Sequence, residues 1–116
     1  MNTDDRQLIS EVSGVMKIIG AKWKPEILYT LVFDGRQRFS EIQRQIPEIT
    51  QRMLTARLRE LERDGLIDRT VYPEVPVRVE YEVTELGKSV DPCFRAMSKW
   101  ISENKNKIAK ANKVFD

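Results

Sequence analysis

The sequence predicts a mainly α-helical domain carrying one small β-hairpin, and three observations predict it. Apolar residues recur at helical spacing through most of the 116 residues. The spacing switches to alternation only between Ile67 and Val83. Most prolines and glycines fall at the joints between the periodic runs. The length fits a single domain, 1–116, large enough for a core and small enough that dimerisation can add stability.

The first helix is expected from about Asp5 to Ile19. Leu8, Val12, Val15, Met16 and Ile19 form its stripe, interrupted by Gly14, and Gly20 ends it. Ala21 to Lys24 is a short connector. Pro25 suits the first position of a second helix, where its missing N–H is no loss. That helix, to about Phe33, is apolar on more than one face (Ile27, Leu28, Leu31, Val32), which places it at the centre of the core. Asp34-Gly35 then turns the chain.

Residues 38–65 carry the densest signal. Ser40 is expected to cap a third helix, with Gln43 reaching back to its amide, and Pro47 stops it. Thr50 caps a fourth helix, about 50–64 and some fifteen residues long, with Ile49 and Leu54 at the positions of a hydrophobic staple. Leu54, Leu58 and Leu61 share one face, while Arg52, Thr55, Ala56, Arg59 and Arg63 share the other. Gly65 is the C-terminal stop. Helix, sharp turn, then a helix with a donor-rich outer face is the signature of a helix-turn-helix, although an amphipathic hairpin with a solvated charged face has the same spacing.

After Gly65, Ile67–Tyr72 reads as a strand. Val77, Val79, Tyr81 and Val83 alternate with Arg78, Glu80 and Glu82 as its half-buried partner, across a connection stiffened by Pro73 and Pro76. A hairpin directly behind the fourth helix is a wing. Its protruding end, about 73–78, carries Arg78, placed to enter a minor groove or touch phosphates. Thr84 caps a long last helix from about Glu85 to beyond Asn104, kinked or divided after Val90 by Pro92. Its stripe is Leu86, Val90, Phe94, Met97, Trp100 or Ile101, and Ile108. So small a domain has little core left for the first and last helices to cover. They are expected to pair across a two-fold axis through Leu8, Val12, Val15, Ile19, Phe94, Met97, Trp100 and Ile101, giving a homodimer.

A net charge of +2 hides an uneven distribution: seven arginines (36, 38, 44, 52, 57, 59, 63) stand against four glutamates between Arg36 and Arg63. A local basic surface on a nearly neutral chain fits double-stranded DNA better than a membrane. The chain has no histidine, no glycine loop that cradles phosphate and no cluster of metal ligands, so neither an enzyme nor a metal or cofactor site is expected. A lone cysteine, Cys93, permits no internal disulfide, and neither a membrane span nor a signal peptide is visible, which makes the cytoplasm the default. Beside Phe94, that cysteine is expected to be a small buried hydrophobe.

With three leucines against the core, Thr50, Gln51, Arg52, Thr55 and Arg59 face outward near the start of the fourth helix. Arg52 is the leading candidate for a bidentate guanine contact and Gln51 for an adenine. Lys22, Arg38, Arg59 and Arg78 are read as phosphate or minor-groove contacts, with Ser40 nearby, while Arg57 and Arg63 can equally be paired with glutamates on their own helix. A winged-helix module that binds protein instead of DNA is the alternative, and it should show apolar or acidic residues on that outer face.

The chain resembles the HxlR-type winged helix-turn-helix transcriptional regulators, which are related to the MarR group. The resemblance lies in Ile19-Gly20-Ala21-Lys22-Trp23, in Arg38-Phe39-Ser40-Glu41-Ile42, and in Ile46 to Leu54. It continues through Leu58 to Ile67, the double-proline segment Pro73 to Tyr81, Leu86-Gly87 and Trp100, covering roughly Val12 to Ile101. It implies a bacterial dimeric regulator that binds operator DNA through its fourth helix and its wing. Some similar proteins sense oxidants through a cysteine early in the first helix; here that region reads Gln7-Leu8-Ile9-Ser10-Glu11, so the redox role is not carried over. A small-molecule effector between the dimer helices, near Trp23 or Trp100, is compatible with the pattern, although aromatic residues on a helical stripe are core far more often than pocket walls.

Overall fold

The computed structural model describes residues 1–116 as six helices and a three-stranded sheet: α1 (Thr3–Ile19), α2 (Lys24–Asp34), β1 (Gln37–Arg38), α3 (Phe39–Gln45), α4 (Gln51–Arg63), β2 (Ile67–Tyr72), β3 (Arg78–Val83), α5 (Glu85–Lys88) and α6 (Asp91–Phe115). The strands are antiparallel in the order β1-β3-β2. The architecture is the expected one, mainly helical with a wing, and it gains one short strand that the sequence did not announce. Gln37 and Arg38 pair with Tyr81 and Glu80. Two residues carry no visible alternation, which is why β1 escapes a reading of local pattern.

That strand moves the start of α3. Arg38 is held extended, and Glu41 accepts its backbone N–H at 3.0 Å, so the helix opens at Phe39 and Ser40 lies within its first turn instead of capping it. At α1, Asn2 and Asp5 form a capping box (2.8 and 3.1 Å), and the helix begins at Thr3, two residues before the expected start.

The core is built by α2, α3, α4 and the sheet. Ile27, Leu28 and Leu31 of α2 meet Ile42, Ile46, Ile49, Leu54, Leu58, Leu61, Leu66, Ile67 and Val83. Val32, expected among them, is exposed. Gln37 is buried at the joint, and its Nε2 donates to the Thr30 carbonyl at 2.8 Å. Gly87 allows α5 to approach β2: a Cβ there would stand 2.2 Å from the Leu66 carbonyl oxygen.

The long last helix is indeed divided, with Pro92 in the first turn of α6. Its root is fixed by Asp91, which accepts from the Tyr29 hydroxyl and from Arg95 Nε, each at 2.7 Å. Those two hydrogen bonds hold Asp91 below the ordinary carboxylate range, while burial and the same carboxylate push the Tyr29 hydroxyl up. Phe33 and Phe94 pack against the Tyr29 ring at 5.3 and 5.5 Å.

Beyond that root, α6 and α1 stand away from the body. The radius of gyration is 17.4 Å, against about 13 Å for a compact chain of this length. Leu8, Val12, Val15, Met97, Trp100 and Ile101 are exposed, and Trp100 is 59 % exposed, so it is no core residue of the single chain. Three expectations need correction. Ile19, assigned above to the dimer contact, is 3 % exposed and belongs to the subunit's own core, and Phe94, assigned there too, is half-buried against that core and the Tyr29 ring. Cys93, expected to be buried, is exposed: it lies at the rim of an open apolar groove that it lines with Val15, Ile18, Leu86 and Val90.

Candidate nucleic-acid interface

Local chemistry builds the helix pair. Ile46 ends α3 by donating to the Ile42 and Gln43 carbonyls, Ile46 and Ile49 are buried in the turn, and the Thr50 hydroxyl accepts the Met53 N–H at 3.1 Å. Ile49 and Leu54 are both buried, as a staple requires. At the far end, the Gly65 N–H bonds the Glu62 carbonyl and the Leu66 N–H bonds the Leu61 carbonyl, the paired contacts of a Schellman motif; Gly65 sits at φ 79°, where glycine alone is unstrained.

Leu54, Leu58 and Leu61 are each at most 1 % exposed, so the rotation of α4 about its own axis is fixed. Gln51, Arg52, Thr55, Ala56, Arg59, Glu62 and Arg63 consequently face solvent. The helix has 13 residues, two fewer than expected and about 20 Å long, against a major groove about 12 Å wide. Thr50 and Gln51 lie at its start. The Thr55 hydroxyl donates back to the Gln51 carbonyl at 2.9 Å, which leaves its lone pairs as the outward-facing function.

The arginines divide into two groups. Arg38, Arg44, Arg52, Arg59 and Arg69 form no ion pair within the chain, and all five are exposed. Arg36, Arg57, Arg63 and Arg78 are engaged, Arg57 with Glu60 as expected and Arg63 with Asp64 (3.5 Å) in place of a glutamate. Arg36 reaches Tyr72 Oη and Glu82, each at 2.6 Å, and those contacts raise its pKa further. Arg78 lies between Glu74 (3.2 Å) and Glu80 (3.5 Å) with its guanidinium 4.0 Å from the Tyr72 ring centre. The expected free cation of the wing is therefore folded against the hairpin, and Glu80, expected to point to solvent, is half-buried beneath it. Val77, expected in the strand, precedes it and is exposed.

Arg69 is the residue that pattern reading missed. It lies across from Tyr81 on β2, and together with Phe39, Thr55, Arg59 and Glu62 it lines a cleft between α4 and the sheet. Only the pairing register brings its side chain to the side of Arg59. Lys22 is exposed at the α1–α2 elbow, 5.1 Å from the centre of the Trp23 ring. Arg38 and Ser40 are exposed at the start of α3. The structure thus gathers Thr50, Gln51, Arg52, Thr55 and Arg59 on one helix face and sets Lys22, Arg38 and Ser40 on other elements. Cationic side chains without internal partners, carried on a helix whose opposite face is locked, can bind a polyanion and present donors to base edges.

Comparison with known proteins gives the same shape a family context. The family described as HxlR-like helix-turn-helix matches residues 18–109. An HTH-type transcriptional regulator of Methanothermobacter thermautotrophicus is 60 % identical over 97 residues, covering 84 % of this chain and 72 % of the relative. The HTH-type transcriptional regulator YdeP of Bacillus subtilis is 50 % identical over 99 residues, covering 85 % and 77 %. Among solved structures, that of the HTH-type transcriptional regulator ytcD superimposes with a TM-score of 0.75 at 45 % identity, covering 82 % of this chain and 96 % of the other. The redox regulator HypR in its reduced form also gives 0.75, at 43 % identity, covering 86 % and 98 %.

Proposed function

Because this chain belongs to the HxlR-like helix-turn-helix family of transcriptional regulators, we propose that it acts as a homodimer on a pseudo-palindromic operator. The recognition helix, about 50–64, enters the major groove, and the wing, about 73–78, lies over the adjoining backbone or minor groove. The observation that carries this reading is the outer face of α4, where Gln51, Arg52, Thr55 and Arg59 are exposed and neither arginine has an internal partner. A helix that served a protein-binding module would present apolar or acidic residues there.

In this reading Arg52 takes a guanine and Gln51 an adenine, with Thr50 and Thr55 beside them. Lys22, Arg38, Ser40 and Arg59 hold phosphates, and Arg69 joins Arg59 in the cleft between α4 and the sheet. Arg78 would reach a groove only by leaving Glu74 and Glu80, so its first role is to brace the wing. The exposed stripes of α1 and α6 supply the dimer contact, through Leu8, Val12, Val15, Met97, Trp100 and Ile101. Two recognition helices related by a two-fold axis then meet half-sites about one helical turn apart, roughly 34–36 Å.

Selection of random duplexes by the purified protein at two salt concentrations tests the proposal. The expected product is an inverted repeat whose affinity falls steeply with salt. Recovery of no common sequence, or binding that ignores salt, overturns it.

A further inference from the structure

The arm α1 buries only Ile19 in its own subunit, so apolar packing does not fix its direction. A polar bracket at its root does. Lys24, 2 % exposed at the start of α2, donates to the Lys17 carbonyl in the last turn of α1 at 3.2 Å. The same ammonium lies 3.2 Å from Glu60 Oε2 on α4. Arg57, also on α4, donates through Nη1 to both Glu60 oxygens at 2.8 and 2.9 Å, and through Nε to the Lys22 carbonyl at 2.9 Å. Between Lys22 and Lys24 the chain passes through Trp23 at φ 79°. For a bulky residue that left-handed conformation is strained and persists only where its surroundings hold it. Burial by itself would raise the Glu60 pKa, but the hydrogen bonds from Arg57 and Lys24 outweigh it and keep the carboxylate ionised.

The recognition helix does not need this bracket, because three buried leucines already seat it. The bracket acts on the arm. We propose that Lys24, Glu60 and Arg57 are positioning residues that set the angle between the dimer arm α1 and the recognition helix α4, and thereby the half-site spacing the protein accepts. The inference rests on the operator-binding dimer proposed above. One base pair inserted between half-sites carries the second about 3.4 Å further along the axis and turns it by about 34°. A stiff arm rejects that change, whereas a loosened arm swivels to follow it.

Glu60→Gln strips a buried ammonium of its counter-charge and can unfold the protein. Arg57→Met is therefore a second variant: it keeps the Lys24–Glu60 pair and frees the elbow carbonyl of Lys22. Neither side chain belongs to the surface assigned to DNA. The measurement uses the repeat selected by the wild-type protein, rebuilt with one or two base pairs added or removed between its halves, and reads affinity by fluorescence anisotropy beside a melting curve for each protein.

The wild-type protein is expected to lose at least about tenfold in affinity for each base pair of misspacing, and the folded variants less than about threefold, with binding of a single half-site unchanged. A folded Arg57→Met protein with the wild-type spacing profile overturns the inference, as does an affinity loss equal at every spacing. If the wild-type protein selects no repeat, the operator reading falls and takes the inference with it. If it selects one and the variants keep its spacing, the inference alone falls.

Discussion

The body of the molecule, from α2 to β3, and its two long helices treat apolar side chains in opposite ways. In the body, Leu54, Leu58 and Leu61 are buried almost completely. On the arms, side chains of the same kind and spacing stay in water: Leu8 is 63 % exposed, and Met97 and Ile101 are exposed with it. Identical periodicity thus marks a face the chain can cover by itself in one place and a face left for another surface in the other. The arginines repeat the lesson in charge. Those of the wing face are neutralised at home by Glu74, Glu80 and Glu82, whereas Arg52 and Arg59 of α4 and Arg69 beside them have no partner within the chain.

The largest expected effect that sharpens this contrast is in the core. Leu58→Ala is expected to lower the unfolding free energy by about 2–5 kcal/mol at every protein concentration. In the proposed dimer Leu8→Ala is expected to act through association, so its effect on the urea midpoint should change with protein concentration. A concentration-independent loss for Leu8→Ala would break the comparison between body and arms.

Next come the unpaired arginines. Arg52→Ala is expected to cost about 1–3 kcal/mol on the selected operator and to relax the preference at one base. Arg69→Ala should weaken all duplexes alike and reduce the salt slope by about one. Titration of matched and mismatched duplexes at several salt concentrations separates the two. If Arg52→Ala binds the operator as the wild type does, the register assigned to α4 against the bases is wrong.

The smallest effect is the pH dependence of the bracket under α1. Folded Glu60 titrates below its ordinary value of 4.5. Its contribution is therefore fully present above that pH and is lost as pH falls through the folded value. The melting temperatures of the wild type and a folded Glu60→Gln variant should differ by a constant amount near neutral pH and converge in acid below about 4.5. A gap that persists unchanged into acid would mean that Glu60 is not the group being titrated.

Much of the fold was legible in the sequence because its signals are short-range. The Thr50 cap, the Ile49–Leu54 staple, the three-leucine face and the Gly65 stop all act within one or two turns, and each stands where the spacing put it. The outward face of α4 follows from the same arithmetic. The availability of a given arginine does not. Arg78 was expected to be free and is held by glutamates two and four residues away, once the hairpin fixes their directions. Arg69 had no pattern to mark it until strand pairing set it in the cleft beside Arg59.

By itself, then, the amino-acid order determined which segments are helices or strands, where most of them begin and end, and which face of the fourth helix carries donors. Tertiary structure alone decided that two residues at 37–38 become a strand, that Ile19 is core while Cys93 is bare, and that Lys24 is buried against Glu60. The reason is range. Periodicity and capping are settled between neighbours in the chain, whereas Arg36 meets Glu82 across 46 positions and Arg57 meets Lys22 across 35. Partners that distant are chosen by how the elements pack, and no local window contains that choice.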